Sequence, residues 1–569
     1  MCSTSGHGPL SRRASPRFPR AHPRSLELTA PWCAGTSSKP RAMMGRAIRP
    51  ALFAVGLLTS GAALAAPDTS AIDAVVERAM DTFGSPAVTV SVINDGEVVY
   101  AKGHGIVEIG GETQVDADTL FHIGSVSKAF TAAALALLAD DDKLSFDDRV
   151  IDHLPEFRMH DPYVTREFRI RDLLTHRSGL PLGAGDLLMF PQAKSTREEI
   201  LRAMRHFEPT SSFRAQYDYD NSLYIIAGMV VEAVSGQSFE SFLEERLLFP
   251  LGMNDCAATR DRAPESASMA TPHIDVDGKL QTTPTGLLGD TAAPAGGIVC
   301  SARSMAKWMN FILDEGVSAD GERLISEGQF DELLTPVTIT RTPGYLSEHA
   351  GAELSAYALG WSISTFHGQP LHSHGGGVLG MTTHLMLLPR EDLGVFVSNN
   401  RMSAVPRPVA YDIAELFLDG NNENDADWIA VVDELIQQRR DSGAEVVAEA
   451  MAERDADSTP SLPLEAYAGT YRDPWYGEIT LTLKDDGRLW FRSPRSEPLT
   501  GPLEHFQHDT FIVRWEDRRL NADAYMTFTL TPEGEVEGAR MKAVSPTTDF
   551  SFDFHHLDLR RVNEQTEDQ

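Results

Sequence analysis

Ser125 and Lys128 stand three residues apart at the head of an apolar run, Ala129-Phe130-Thr131-Ala132-Ala133-Ala134-Leu135-Ala136-Leu137-Leu138-Ala139. As a helix this run is apolar on every face, which places it inside a core. An unpaired ammonium in its first turns is costly, and burial drives such a group to give up its proton. Residues i and i+3 share one helix face. A lysine with a depressed pKa can take the proton of a neighbouring hydroxyl and make it a nucleophile. The helix N-terminus favours the negative charge that develops during attack. Ser127 points to another face and is the weaker candidate.

Two further groups of residues could complete such a site. Tyr219-Asp220-Asn221 precedes an apolar helix through Tyr224, Ile225, Ile226 and Met229 to Val234. A tyrosine beside a lysine can act as a phenolate or a proton relay. An asparagine amide can bond both the lysine and a substrate carbonyl. Asp220 or Asn221 could also simply cap the helix, and Tyr217 competes for the tyrosine role. The other group is His374-Gly375-Gly376-Gly377, which leads into a strand over 382–388. Glycines let a strand edge approach a ligand closely. The Gly377 N–H would pair with that of Ser125 as an oxyanion hole, with His374 supplying a donor or a positive charge. His372 raises the question of a metal, but no further ligands stand at metal spacing, so neither a metal nor an organic cofactor is expected.

These residues need a frame. A helix over 71–83 is followed by alternating strands over 87–94, with Val88, Val90 and Val92 on one face, and over 97–105. Strands over 382–388 and 393–398 are joined by Pro389-Arg390-Glu391-Asp392. Strands at both ends with helices between predict an α+β or α/β sandwich. Residues 421–460 read as an acidic helical linker with Trp428, Val431, Val432, Leu435 and Ile436 on one face. After Pro460 the pattern is all strand, with turns at Asp486-Gly487 and Pro532-Glu533-Gly534 and with 550–554 among the expected strands. Seven or eight strands there predict a small antiparallel β-barrel or sandwich.

In this order, Ser125-x-x-Lys128, Tyr219-x-Asn221 and His374-Gly-Gly resemble the serine β-lactamase-like hydrolases. The branch with Tyr-x-Asn as its second motif holds class C β-lactamases, D-aminopeptidases, D-alanyl-D-alanine carboxypeptidases and family VIII carboxylesterases. The resemblance covers about residues 71–420. It extends to Leu120-Phe121-His122-Ile123-Gly124, to Arg171-Asp172-Leu173-Leu174-Thr175-His176-Arg177-Ser178-Gly179-Leu180-Pro181, to Pro250-Leu251-Gly252-Met253 and to Pro294-Ala295-Gly296-Gly297. The His176 segment is scaffold in this family. Tyr467-Ala468-Gly469-Thr470-Tyr471, Tyr476-Gly477 and His508-Asp509-Thr510-Phe511 are similar to a lipocalin-like domain appended to some of these hydrolases.

The resemblance implies an α+β fold: an antiparallel sheet with an all-helical subdomain in 66–420, a linker over 421–460 and a small antiparallel barrel in 461–563. It implies acyl transfer through Ser125, with Lys128 and Tyr219 moving protons and Asn221, His374, Gly375, Gly376 and Gly377 binding substrate or oxyanion. Class C β-lactamases carry Lys-Thr-Gly where this chain has His374-Gly-Gly, so a cation that meets the β-lactam carboxylate is replaced by a side chain that is often neutral. The expected activity is therefore a D-amino-acid peptidase or carboxylesterase. A class C-like β-lactamase is the alternative, as is a penicillin-binding or peptidoglycan-sensing module that acylates without turnover. The expected partner is a small-molecule or peptide substrate, which peptidoglycan could supply, and an oligomer is open.

The N-terminal part reads as an export signal. Arg46 and Arg49 precede an apolar run over 51–62, and Ala63-Leu64-Ala65 is a cleavage signal. The run is shorter than the ~20 residues of a bilayer span, so no transmembrane anchor is expected. Residues 1–42 are Pro-, Ser- and Arg-rich, and the reading begins the protein at Met43 or Met44. Residues 1–65 hold nine Lys/Arg against one acidic residue, so the whole-chain net of −32 becomes −40 after Ala65. Such a balance excludes nucleic acid as a partner. The expected location is periplasmic or secreted. Of the four cysteines, Cys2 and Cys33 fall before the signal, and Cys256 and Cys300 could pair in an oxidising compartment.

Overall fold

Val88, Val90 and Val92 alternate along strand β1 (Ala87–Asn94), and all three pack with Ile72 and Val76 of helix α1 (Thr69–Phe83) in one apolar cluster. The opposite face of β1 is buried as well, so the strand lies inside the protein between two layers of helix. These observations come from a computed structural model that describes residues 69–284, 288, 290–418 and 426–562. The signal segment, the residues before it, Cys2 and Cys33 lie outside the described residues.

Eight strands form one sheet. After β1 come β2 (Glu97–Gly105), β3 (Thr338–Thr340), β4 (Ser355–Tyr357), β5 (Ser362–Phe366), β6 (Gln369–Val378), β7 (Met381–Leu388) and β8 (Leu393–Asn399). Their spatial order is β2-β1-β8-β7-β6-β5-β4-β3, with antiparallel neighbours throughout. The long excursion between β2 and β3 carries the helical subdomain. Its two central helices are α2 (Ser127–Asp140) and α3 (Asn221–Ser235). Every residue of α2 from Ser127 to Ala139 is buried, as its all-round apolar pattern requires. Gly236 ends α3 in the left-handed conformation at φ 74°. Helix α4 (Ala302–Leu313) covers one face of the sheet, and α5 (Pro406–Phe417) packs with α1 on the other.

Helix α6 (Trp428–Glu453) is the expected linker helix, but its buried face is shorter than its pattern suggests. Trp428, Ile429 and Val432 are buried against the hydrolase part, whereas Leu435 is 41% exposed. Only the first turns meet α5, and the rest runs along solvent until Gly443 meets Thr547.

The C-terminal strands close into an eight-stranded barrel in chain order. They are Gly469–Asp473, Gly477–Leu483, Leu489–Arg492, Thr500–Gln507, Thr510–Val513, Ala524–Leu530, Val536–Ala543 and Asp558–Arg561. Contrary to expectation, 550–554 is not one of them. Phe552 and Phe554 are buried in an irregular segment, and the chain there crosses to the helical subdomain before the last strand. Phe552 packs against Phe190 and Trp475 against Phe207, so the two apolar cores are continuous. Cys256 and Cys300, whose pairing the sequence left open, form a disulfide with Cα atoms 4.3 Å apart. By the chain-entropy account, closing a loop of that length contributes ~3–4 kcal/mol.

Candidate active site

Ser125 sits in a single 3₁₀ turn, Gly124–Val126, that feeds directly into α2. This turn leaves the serine partly exposed while Lys128, three residues on, is wholly buried beneath it. Lys128 Nζ lies 3.0 Å from Ser125 Oγ, and donates to Asn221 Oδ1 at 2.7 Å and to the Ala295 carbonyl at 2.7 Å. The Tyr219 hydroxyl donates to the same Ser125 oxygen at 2.8 Å. Lys128 and Tyr219 therefore meet at one oxygen atom, with Asn221 one hydrogen bond further away.

The protonation pattern follows from these contacts. Burial brings the Lys128 amine down to about 7, opposed by the nearby carboxyl of Asp186. A neutral amine has two hydrogens and one lone pair. Two carbonyl acceptors take the hydrogens, which leaves the lone pair facing Ser125. Tyr219 is pushed the other way: burial holds its phenol well above the usual range. It is a neutral O–H donor, so of the two roles expected for it, the phenolate does not fit. Ser127 is turned away and accepts from the Ile298 N–H at 3.2 Å. Tyr217 packs tilted against Tyr357, and the hydroxyl that donates to the serine is that of Tyr219.

The segment that carries Tyr219 is held from below. The His176 ring packs tilted against the Tyr219 ring with centroids 4.2 Å apart, and its Nδ1 accepts from the Asp220 N–H at 3.1 Å. Burial pushes His176 well down, so the ring is neutral. Asp220 occupies the N-cap position of α3 but makes no capping bond. Its carboxyl accepts instead from Ser178 Oγ at 2.8 Å. The 171–181 segment thus holds Tyr219 and Asp220 in place.

The glycine run of β6 faces the serine turn. A Cβ on Gly376 would stand 2.0 Å from the Ile123 carbonyl oxygen and 3.2 Å from the Ser125 nitrogen. Glycine is therefore required there by the serine's own turn and not only by a ligand. Gly377 is exposed, and a Cβ on it would meet nothing within 4 Å. Its N–H and that of Ser125 belong to adjoining segments at the open side of the site, a pairing that can hold an oxyanion. Of the two roles open to His374, a donor or a positive charge, the second does not fit. Nδ1 lies 2.6 Å from the Gly375 carbonyl and Nε2 lies 2.9 Å from the Tyr357 hydroxyl. Burial lowers it to about 3, with Lys128 adding to the effect, so it brings no positive charge.

Two participants were not legible from the sequence. The Ala295 carbonyl comes from the Pro294-Ala295-Gly296-Gly297 segment, pressed toward Lys128 because Gly228 of α3 leaves room for Pro294. A Cβ on Gly228 would stand 2.2 Å from the Pro294 ring. Asp186, in a buried 3₁₀ turn, accepts from Asn221 Nδ2 at 2.9 Å. An aspartate in Gly183-Ala184-Gly185-Asp186 reads as a loop residue, and nothing local marks it otherwise.

Residues 72–418 match the family model described as Beta-lactamase, and 453–561 match one described as a domain of unknown function, DUF3471. The chain is 25% identical over 495 residues to "Unguisins hydrolase ungD'" of Aspergillus campestris (strain IBT 28561), covering 81% of this chain and 86% of that one. It is 27% identical over 310 residues to "Penicillin-binding protein 4" of Amycolatopsis lactamdurans, covering 53% and 78%. Among solved structures, the octameric penicillin-binding protein homologue from Pyrococcus abyssi shares the fold at a TM-score of 0.56 and 23% identity, over 81% of this chain and 97% of that one. The D-amino acid amidase from Ochrobactrum anthropi SV3 does so at 0.51 and 21%, over 61% and 97%. With the family model matched along most of its length, this chain belongs to the beta-lactamase family.

Proposed function

We propose that this protein is an exported serine hydrolase that forms an acyl-enzyme on Ser125 and cleaves an amide or ester next to a D-amino acid. The observation that carries the reading is the Lys128 amine, whose two hydrogens are taken by carbonyl acceptors while Ser125 Oγ lies 3.0 Å away. Lys128 accepts the Ser125 proton as the oxygen attacks the carbonyl carbon. The oxyanion is held by the Ser125 and Gly377 N–H groups. Tyr219 protonates the leaving group and recovers a proton from Lys128. Water then attacks the acyl carbon, with the Lys128 and Tyr219 pair as base, and frees the serine.

A D-amino-acid amide or peptide is the first substrate class. The D-amino acid amidase shares the fold, and the uncharged His374 leaves a β-lactam carboxylate without a cation at that position. Export is supported by the segment over 46–65 and by a disulfide that an oxidising compartment preserves. The tests are direct. The purified protein is offered a D-amino acid amide, a D-Ala-D-Ala peptide, a p-nitrophenyl ester and a chromogenic cephalosporin. The amide, peptide or ester is expected to turn over fastest, and Ser125→Ala to abolish turnover with the fold retained. Efficient cephalosporin hydrolysis would move the assignment to a β-lactamase. A long-lived penicilloyl adduct without turnover would move it to a sensor. Intact mass of the protein from its host should begin at Ala66.

A further inference from the structure

The irregular stretch before the last barrel strand reaches the helical subdomain beside the serine. Ser551 Oγ donates to Asp186 Oδ2 at 2.9 Å, the same oxygen that accepts from Asn221 Nδ2 at 2.9 Å. The Gly185 and Leu187 N–H groups, on either side of Asp186, donate to the Asp553 carboxylate at 2.9 and 3.0 Å. Asp186, Asp553 and Lys128 are all without solvent exposure. On the other side of the loop the Gly183 N–H donates to the Tyr219 carbonyl at 2.9 Å. The loop over 183–187 is therefore gripped between the barrel and the two residues that contact Lys128 and Ser125.

The asparagine amide makes this grip chemically specific. It has one acceptor oxygen and one donor NH₂, and the network decides which way each faces. With Nδ2 committed to Asp186, Oδ1 must face Lys128. Reversed, the NH₂ would confront the Lys128 hydrogens, one of them would lose its acceptor, and the lone pair would no longer be held toward Ser125. We propose that Asp186 is a positioning residue of the acyl-transfer site, fixing the Asn221 amide for Lys128, and that Ser551 and Asp553 of the barrel domain hold it in place. The C-terminal domain on this view completes the site rather than merely adjoining it. The inference rests on the serine-hydrolase reading above.

Its test uses the full chain. Asp186→Ala is expected to lower kcat on the best panel substrate by ~10²-fold with KM little changed, since misplacement of a catalytic group costs on that order. The labelling rate with a fluorophosphonate should fall in parallel. Asp186→Asn, which can still accept from Asn221, should recover much of the loss. The acid limb of kcat/KM should move to lower pH in Asp186→Ala, because the freed amide can turn donors toward the amine. The titratable groups facing Lys128 are Asp186, His176, His374, Tyr219 and Tyr224, and Asp553 and Asp220 face Asp186. Only Asp186 changes in the variant. Ser551→Ala should give a smaller loss of the same kind, and it carries the test if Asp186→Ala fails to fold. Unchanged kcat, or a loss with no shift of the limb and no rescue by asparagine, overturns the inference. Ser125→Ala run alongside separates the two readings: if it stays active, the serine-hydrolase reading fails instead.

Discussion

Among the ionisable groups that the helical subdomain buries completely, Asp172 and Lys128 are treated in opposite ways. Asp172 is met by charge. Its Oδ1 accepts from Arg177 Nε at 2.9 Å and from Arg214 Nε at 3.0 Å, and its Oδ2 accepts from Arg214 Nη2 and from the Arg169 N–H. Lys128 has no carboxylate bonded to it. Its hydrogen-bonding neighbours are two carbonyl oxygens and a hydroxyl. Equal burial with unequal compensation separates a clamp from a group poised to trade a proton. The Asp172 cluster sits in the 171–181 segment that steadies Tyr219, so the paired charge supports the unpaired one.

The strongest way to break this contrast is to change what Lys128 can do with a proton. Lys128→Met keeps the length and removes the base, and Lys128→Arg keeps a charge that cannot be given up. Each should lower kcat/KM by at least ~10³-fold while the fold persists. In the unaltered protein, activity should rise with pH through about 7, as the amine becomes neutral. The linkage has a definite sign. Between about pH 7 and the ordinary lysine range the unfolded chain holds a proton that the folded chain does not, so this group lets stability rise with pH across that window. Lys128→Met should remove that slope. Retained activity in Lys128→Met would end the contrast.

Much of this was legible because apolar patterns report burial. The all-round apolar run after Lys128 made the lysine conspicuous, and the period-2 pattern of Val88, Val90 and Val92 identified the face of β1 that packs on α1. The same pattern misled at Phe550, Phe552 and Phe554. Alternation says that two faces differ, not which surfaces they meet. There Phe552 and Phe554 are buried while Ser551 and Asp553 bind the neighbouring domain. Asp186 and the Ala295 carbonyl were invisible for a related reason: their roles come from segments distant in sequence that tertiary packing brings together.

The second prediction strikes the other half of the contrast. Stripping both guanidiniums in Arg177→Ala/Arg214→Ala leaves Asp172 buried without its charge partners. Breaking a buried pair in this way costs ~3–5 kcal/mol, read as a lower denaturant midpoint. At a temperature where the variant stays folded, the acid limb of kcat/KM should keep its position, because the Lys128 contacts are untouched. A limb that moves would mean that the two groups are electrically coupled and that the division into clamp and base is wrong.

The smallest expected effect concerns what reaches the base. Phe550 is 38% exposed, and its ring stands edge-on to Tyr219 at 5.9 Å. Tyr219 in turn touches Ser125, so Phe550 stands one residue away from the serine. Removing its ring in Phe550→Ala should cost bulky apolar substrates roughly tenfold in kcat/KM, the scale of one apolar contact in a pocket. An acetyl ester, too short to reach the ring, should lose little. The acid limb should stay where it is, since no contact to Lys128 changes. If acetyl and bulky substrates suffer equally, Phe550 acts through the Tyr219 ring and not on the substrate, and it belongs with the residues that set the proton rather than with those that admit the ligand.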